Sequence, residues 1–152
     1  TTDKKCEYTL DFENELELDG EKYHIYDFWN DKYLGTASGK ISLSLNACET
    51  RLLSVRPKKD IPQIISTNRH ITQGAQEIED MRFENNTLYI RANLVKNDKY
   101  KIAVYVPDIY RVSDCGALKA ENDKKYGNVK YFRFVPEKNG CYEFKIKFEV
   151  EL

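Results

Sequence analysis

Carboxylates are the most abundant reactive groups of this 152-residue chain, which contains 25 Asp and Glu residues. Acid–base hydrolysis needs two such groups held close together in a cleft. Glu143, Glu149 and Glu151 instead alternate with apolar residues, which indicates the solvent face of a strand. Asp114 and Asp123 fall in predicted turns. No pattern marks a buried acid pair, so we expect no catalytic residue and no enzyme activity in this chain alone.

Asp27 is the one acid predicted to face inward, because it lies within the aromatic run 23–29, YHIYDFW. A buried acid needs hydrogen-bond donors or a cation. We expect a structural acid that binds backbone amides or Arg56, and the alternative is a contact to a metal or a sugar.

Histidines and cysteines are too few and too scattered to predict a metal site or a cofactor. His24 and His70 are the only histidines, and the cysteines form no CxxC pair. The four cysteines leave two alternatives open: a disulfide between Cys115 and Cys141, or four thiols packed as small hydrophobic groups.

Three aromatic residues of the first block, Trp29, Tyr26 and Tyr33, form the candidate sugar-binding set. Aromatic faces suit the apolar CH surfaces of pyranose rings. The alternative is that these rings pack in the core of a small β-domain.

Strand patterns separated by turns form two blocks, one on each side of residues 59–74, and no helix is predicted. The clearest is the alternation in 141–150, CYEFKIKFEV. We therefore predict an all-β fold of two small antiparallel β-sandwiches in tandem, at residues 1–58 and 75–152, the second immunoglobulin-like.

Residues 59–74 lie between these blocks and are predicted to form an ordered connector. Pro57 just before the segment and Pro62 within it interrupt the pattern, and four isoleucines provide apolar anchors. Within this segment, Asn68, Arg69 and His70 are predicted to form a hydrogen-bond network that fixes one sandwich against the other.

The net charge of −1 provides no field that would attract nucleic acid or an anionic membrane. No apolar run approaches the roughly 20 residues of a membrane span. The polar start at residues 1–5 predicts a mature or excised fragment whose targeting information lies elsewhere.

Two strings resemble the C-terminal β-sandwich region of bacterial alpha-galactosidase-like (melibiase-type) glycoside hydrolases. The first combines 26–35, YDFWNDKYLG, with the closing strand 52–57, LLSVRP, and Cys48 stands in a matching place. The second is the longer string 62–74, PQIISTNRHITQG. The resemblance covers about residues 6–152 and weakens in its second half.

This resemblance implies a non-catalytic accessory region, periplasmic or secreted, whose partner is the catalytic (β/α)8 barrel of the parent enzyme. Its role would be to stabilise or position that barrel, which would carry the catalytic aspartates. An oligosaccharide is the second candidate partner. The alternatives are a carbohydrate-binding module that uses exposed aromatic residues and a bacterial surface interaction domain.

Overall fold

The computed structural model describes residues 4–151, so the predicted polar start lies partly outside the described residues. The chain divides into two compact units, Thr1–Lys58 and Lys59–Leu152. Among the described residues there are thirteen strands, all paired antiparallel, and one short helix. The all-β class predicted from the sequence is confirmed.

The first unit consists of two small sheets. Its elements are β1 (Cys6–Asp11), α1 (Phe12–Leu16), β2 (Tyr23–Asp27), β3 (Lys32–Ala37), β4 (Lys40–Leu45) and β5 (Leu53–Pro57). Strands β1 and β4 pair with each other, and the second sheet has the order β3-β2-β5. Phe12, Tyr23 and Ile25 are the fully buried centre of its apolar core.

Helix α1 occupies a segment for which the sequence predicted continued strand alternation. The Asp11 side chain accepts hydrogen bonds from the backbone N–H groups of Glu13 and Asn14 and so caps the helix. Phe12 turns inward and meets the Tyr23 ring edge-on at 5.5 Å. Glu17 ends the helix in the left-handed region, with φ 55°. The alternation of Leu16 and Leu18 therefore predicted the wrong element.

Strand β2 is the central strand of its sheet, and all five of its residues are buried. The sequence predicted one strand across 23–29, but the strand ends at Asp27 and a turn follows, in which the Phe28 N–H still donates to the Leu52 carbonyl at 2.8 Å. Trp29 therefore lies in the turn and not on a strand face.

The second unit consists of two four-stranded sheets. Its strands are β6 (Gln63–Thr67), β7 (Ile78–Glu84), β8 (Thr87–Leu94), β9 (Tyr100–Tyr105), β10 (Tyr110–Asp114), β11 (Lys119–Asn122), β12 (Val129–Phe134) and β13 (Gly140–Val150). The sheet orders are β10-β13-β8-β7 and β11-β12-β9-β6. Apolar residues of both sheets form one buried cluster, as in a β-sandwich.

Strand β6 lies within the predicted connector 59–74, which the structure assigns to the second unit. It pairs antiparallel with β9, with a register shift between Ile64 and Ser66. Four consecutive residues of β6 are buried, and its sequence QIIST does not alternate between apolar and polar residues. A strand buried on both faces gives a weak periodic signal, which explains why the sequence predicted a connector.

All four cysteines are free, and Cys115 and Cys141 do not pair. Cys115 is half-buried and donates from its thiol to the Leu118 carbonyl at 3.2 Å. Cys6, Cys48 and Cys141 are exposed, so the predicted packing of all four thiols as small hydrophobic groups is wrong for these three.

Replacement of Ile102 by alanine should destabilise the second unit strongly, because the side chain is fully buried between the sheets. We expect a loss of about 2–5 kcal/mol in the free energy of unfolding. The matched control is Ile109→Ala, which removes the same atoms from a side chain that is 52% exposed. Urea unfolding followed by circular dichroism measures both, and equal losses would contradict the assigned core.

Candidate functional site

An open apolar groove lies along β1, β4 and β5 of the first unit and has a volume of about 440 Å³. Its lining residues are Tyr8, Leu10, Leu16, Leu43, Leu45, Glu49, Thr50, Arg51, Leu53 and Val55. Seven of these are apolar or aromatic, and they include Tyr8, 44% exposed, and Leu16, 37% exposed. We call this feature the apolar groove.

The apolar groove follows from strand geometry in a very small unit. Leu43 and Leu45 alternate with serines along β4, so both side chains lie on one face of the strand. Leu10, Leu53 and Val55 contact both the groove and the buried core. The groove is therefore the part of the core face that the first unit leaves uncovered, and such a face is typical of an interaction surface.

Arg51 connects the apolar groove with the turn that carries Trp29. Its guanidinium donates to Asp27 at 2.8 Å, to Glu49 at 2.9 Å and to the Ser44 carbonyl at 3.2 Å. A backbone hydrogen bond from Asn46 is the main reason that the pKa of Glu49 lies below its ordinary value, and Arg51 lowers it further. Glu49 therefore stays ionised beside Arg51.

Asp27 organises the turn between β2 and β3. Its carboxylate is fully buried and accepts from the Asn30 backbone N–H at 3.2 Å and from the Asn30 side chain at 2.9 Å, in addition to Arg51. The predicted structural acid bound to a backbone amide is therefore confirmed, but the cation is Arg51 where the sequence reasoning named Arg56. Arg56 lies on β5, and its Nε donates to Ser54 at 3.1 Å.

The predicted sugar-binding residues do not form one surface. Trp29 is 59% exposed and meets the Phe28 ring edge-on at 5.0 Å. Tyr26 and Tyr33 are buried, and their hydroxyl groups bind Asp31 and His24, each at 2.8 Å. A buried ring has no free face for a sugar, so a platform of all three residues is wrong. The alternative given by the sequence, that the rings pack in the interior of a small β-domain, therefore holds for Tyr26 and Tyr33.

Asn68 and Arg69 bind residues of the second unit. The Asn68 side chain donates to the Lys99 carbonyl at 2.7 Å and accepts from the Lys101 N–H at 2.7 Å. Arg69 forms an ion pair with Asp98. These contacts attach the end of β6 to the start of β9, whereas the sequence predicted a network between two sandwiches.

His70 follows these residues in the chain and stabilises the next turn through a backbone hydrogen bond. The ring is half-buried, and the His70 carbonyl accepts from the Gln73 N–H at 2.8 Å. This bond closes a turn in the run 70–77.

Buried polar side chains adjoin this segment, and the sequence analysis did not single them out. Ser66 donates to Gln73 at 2.7 Å, and Thr67 donates to Glu77. All four side chains are buried, and Glu77 is only 2% exposed. The bonds hold the turns 70–77 against β6. The sequence signal for these buried bonds was the polar pair Ser66–Thr67 inside an isoleucine-rich segment, with the acidic Glu77 ten residues after Thr67.

Within residues 4–151, no group of three or more His, Cys, Asp or Glu side chains is arranged to hold a metal ion. In the same part of the chain, no helix is long and apolar enough to cross a membrane.

Replacement of Asp27 by alanine should weaken the first unit, because Arg51 and Asn30 would lose a shared buried acceptor. We expect a loss of about 1.5–3 kcal/mol in the free energy of unfolding and a lower fluorescence anisotropy of Trp29. The control is Asp80→Ala, which removes an exposed ion pair with Arg82 and should cost at most about 1 kcal/mol. Similar losses in both variants, with Trp29 unaffected, would show that Asp27 does not organise the turn.

A scan against models of known protein families and a search of curated proteins find no match to this chain.

Proposed function

We propose that this chain is a non-catalytic accessory region of a bacterial alpha-galactosidase-like glycoside hydrolase. In this proposal the first unit packs against a catalytic (β/α)8 barrel and stabilises or positions it, and the enzyme acts in the periplasm or outside the cell. The second unit is an immunoglobulin-like sandwich of the same accessory region. Its two four-stranded sheets are consistent with that assignment.

The apolar groove is the observation that carries this proposal. A small unit gains stability when partner side chains remove such a face from water, at about 25 cal/mol for each Å² of apolar surface. The groove is lined by leucines together with Glu49 and Arg51, and interfaces likewise combine apolar with polar groups. A barrel helix with an apolar stripe fits a groove of this kind.

The resemblance supplies the identity of the proposed partner. The string 26–35 covers the turn organised by Asp27, and the string 62–74 covers β6 and the turn after it. Both strings therefore correspond to ordered, hydrogen-bonded parts of the chain. Cleavage of a glycosidic bond needs two carboxylates across the scissile bond, and in this proposal both belong to the barrel.

Trp29 favours a second candidate function, a carbohydrate-binding module. The ring is 59% exposed, and the turn beneath it is held by the buried Asp27 carboxylate. A rigid exposed indole loses little conformational freedom when it stacks on a sugar. With Tyr26 and Tyr33 buried, this function depends on one ring, which predicts weak binding. A bacterial surface interaction domain is the third candidate, and it would bind neither a barrel nor a sugar.

Binding to a barrel should depend on the apolar groove. The reading frame upstream of Thr1 should encode a (β/α)8 barrel with two catalytic aspartates, and that barrel expressed separately should bind this chain. Leu16→Gln should weaken the complex about tenfold, because the change puts a polar group on the groove while keeping a good helix former. Isothermal titration calorimetry measures the affinity.

The matched control is Met81→Gln, a change at a residue that is 44% exposed on β7 and does not line the groove. Its affinity should equal that of the wild-type chain. Equal weakening in both variants, or an upstream frame without a barrel, would refute the accessory function.

Sugar binding by Trp29 is tested by fluorescence, since this is the only tryptophan. Galactosides and α-linked oligosaccharides at millimolar concentration should quench or shift its emission if the second candidate is correct. Trp29→Phe keeps an aromatic face and should bind more weakly, and Trp29→Ala should abolish binding. An unchanged Trp29 emission spectrum at millimolar sugar would rule out the carbohydrate-binding module.

A further inference from the structure

Three buried polar atoms of the second unit have no hydrogen-bond partner among the described protein atoms: Arg69 Nε, Glu77 Oε2 and Tyr100 Oη. Glu77 is 2% exposed and Tyr100 is 1% exposed. A buried polar atom that loses its bonds to water destabilises the fold unless another partner replaces them. We therefore expect another hydrogen-bond partner for these three atoms.

The strand register brings two of the three side chains, Glu77 and Tyr100, to the same part of the sheet. Thr67 lies opposite Ile102 in the pairing of β6 with β9, and Tyr100 is two residues from Ile102 on the same strand face. Thr67 donates to Oε1 of Glu77, which fixes that carboxylate beside β9. The second oxygen of the carboxylate, Oε2, is the atom without a partner.

Arg69 is also held near Tyr100, through Asp98. Its guanidinium binds Asp98, and the Asp98 carbonyl accepts from the Tyr100 backbone N–H at 3.0 Å. The Arg69 side chain is 15% exposed. The Glu77 carboxylate, the Tyr100 phenol and the Arg69 guanidinium are therefore all held beside the start of β9, where Tyr100 also contacts the apolar core.

We propose that Tyr100 Oη, Glu77 Oε2 and Arg69 Nε form a binding site for one structural water molecule inside the second unit. The chemistry of the three atoms is complementary to water. The Arg69 Nε–H and the Tyr100 O–H donate to the water oxygen, and the water donates to Glu77 Oε2. A buried water typically makes about three such bonds.

Tyr100 can donate to the water only while its hydroxyl keeps its proton. Burial raises the pKa of Tyr100 well above its ordinary value, the charge of Glu77 raises it further, and Arg69 opposes the shift. The phenol therefore keeps its proton and acts as a donor. The water joins β9, the end of β6 and the turns before β7, so it fastens three separate stretches of the second unit.

The sign of the change in melting temperature on Tyr100→Phe tests this site. The substitution removes one oxygen and keeps the ring. If the hydroxyl binds the water, Tm should fall by about 4 °C or more. If the hydroxyl is buried without a partner, its removal relieves a desolvation cost, so Tm should stay constant or rise, and the proposal is wrong. The control is Tyr131→Phe, which removes a direct bond of 2.7 Å to Asp123 and sets the scale for a lost hydrogen bond.

A crystal structure of the full chain at about 1.5 Å or better gives the direct measurement. We expect one water within about 2.7–3.2 Å of Tyr100 Oη and Glu77 Oε2, and we expect it to be lost or weakened in the Tyr100→Phe crystal. A direct bond from Tyr100 to Glu77, or no density between the two side chains, would overturn the proposal.

Discussion

Burial of apolar side chains between two antiparallel sheets is the constraint on which each unit depends. In the second unit, four strands on each side provide enough apolar residues to close a core around Ile102 and Ile146. In the first unit, two sheets of two and three strands surround a smaller apolar cluster, whose buried residues are Phe12, Tyr23 and Ile25. The apolar groove is a direct result, because the first unit has more core-facing side chains than its own sheets can cover.

Buried polar groups in both units bind at the ends of strands. Asp27 accepts from a turn amide, from Asn30 and from Arg51 where β2 ends. Glu77 accepts from Thr67 where β6 ends. A carboxylate removed from water is stable only with such donors, so these acids specify turn geometry more than they supply chemistry. Buried polar atoms need hydrogen-bond partners, and three atoms around Tyr100 have none among the described protein atoms. This is the basis for the proposed water molecule.

Two surface features of the first unit, the apolar groove and Trp29, favour different kinds of partner. The apolar groove presents leucines on adjacent strands and favours a protein surface with its own apolar stripe. Trp29 presents one ring on a rigid turn and favours a flat apolar face such as that of a sugar. The accessory function rests on the first feature together with the family resemblance. The carbohydrate-binding alternative rests on the second feature alone.

The sequence by itself determined the all-β class and the strands in which one face is buried. The alternation in 141–150 matches β13 closely, since an apolar residue at every second position reports its own burial. Only the tertiary structure decided the rest. The burial of β6 and of Tyr26 and Tyr33 depends on contacts with residues distant in the sequence, which no local pattern encodes. The choice of Arg51 for Asp27, 24 residues away, depends in the same way on how the chain folds back.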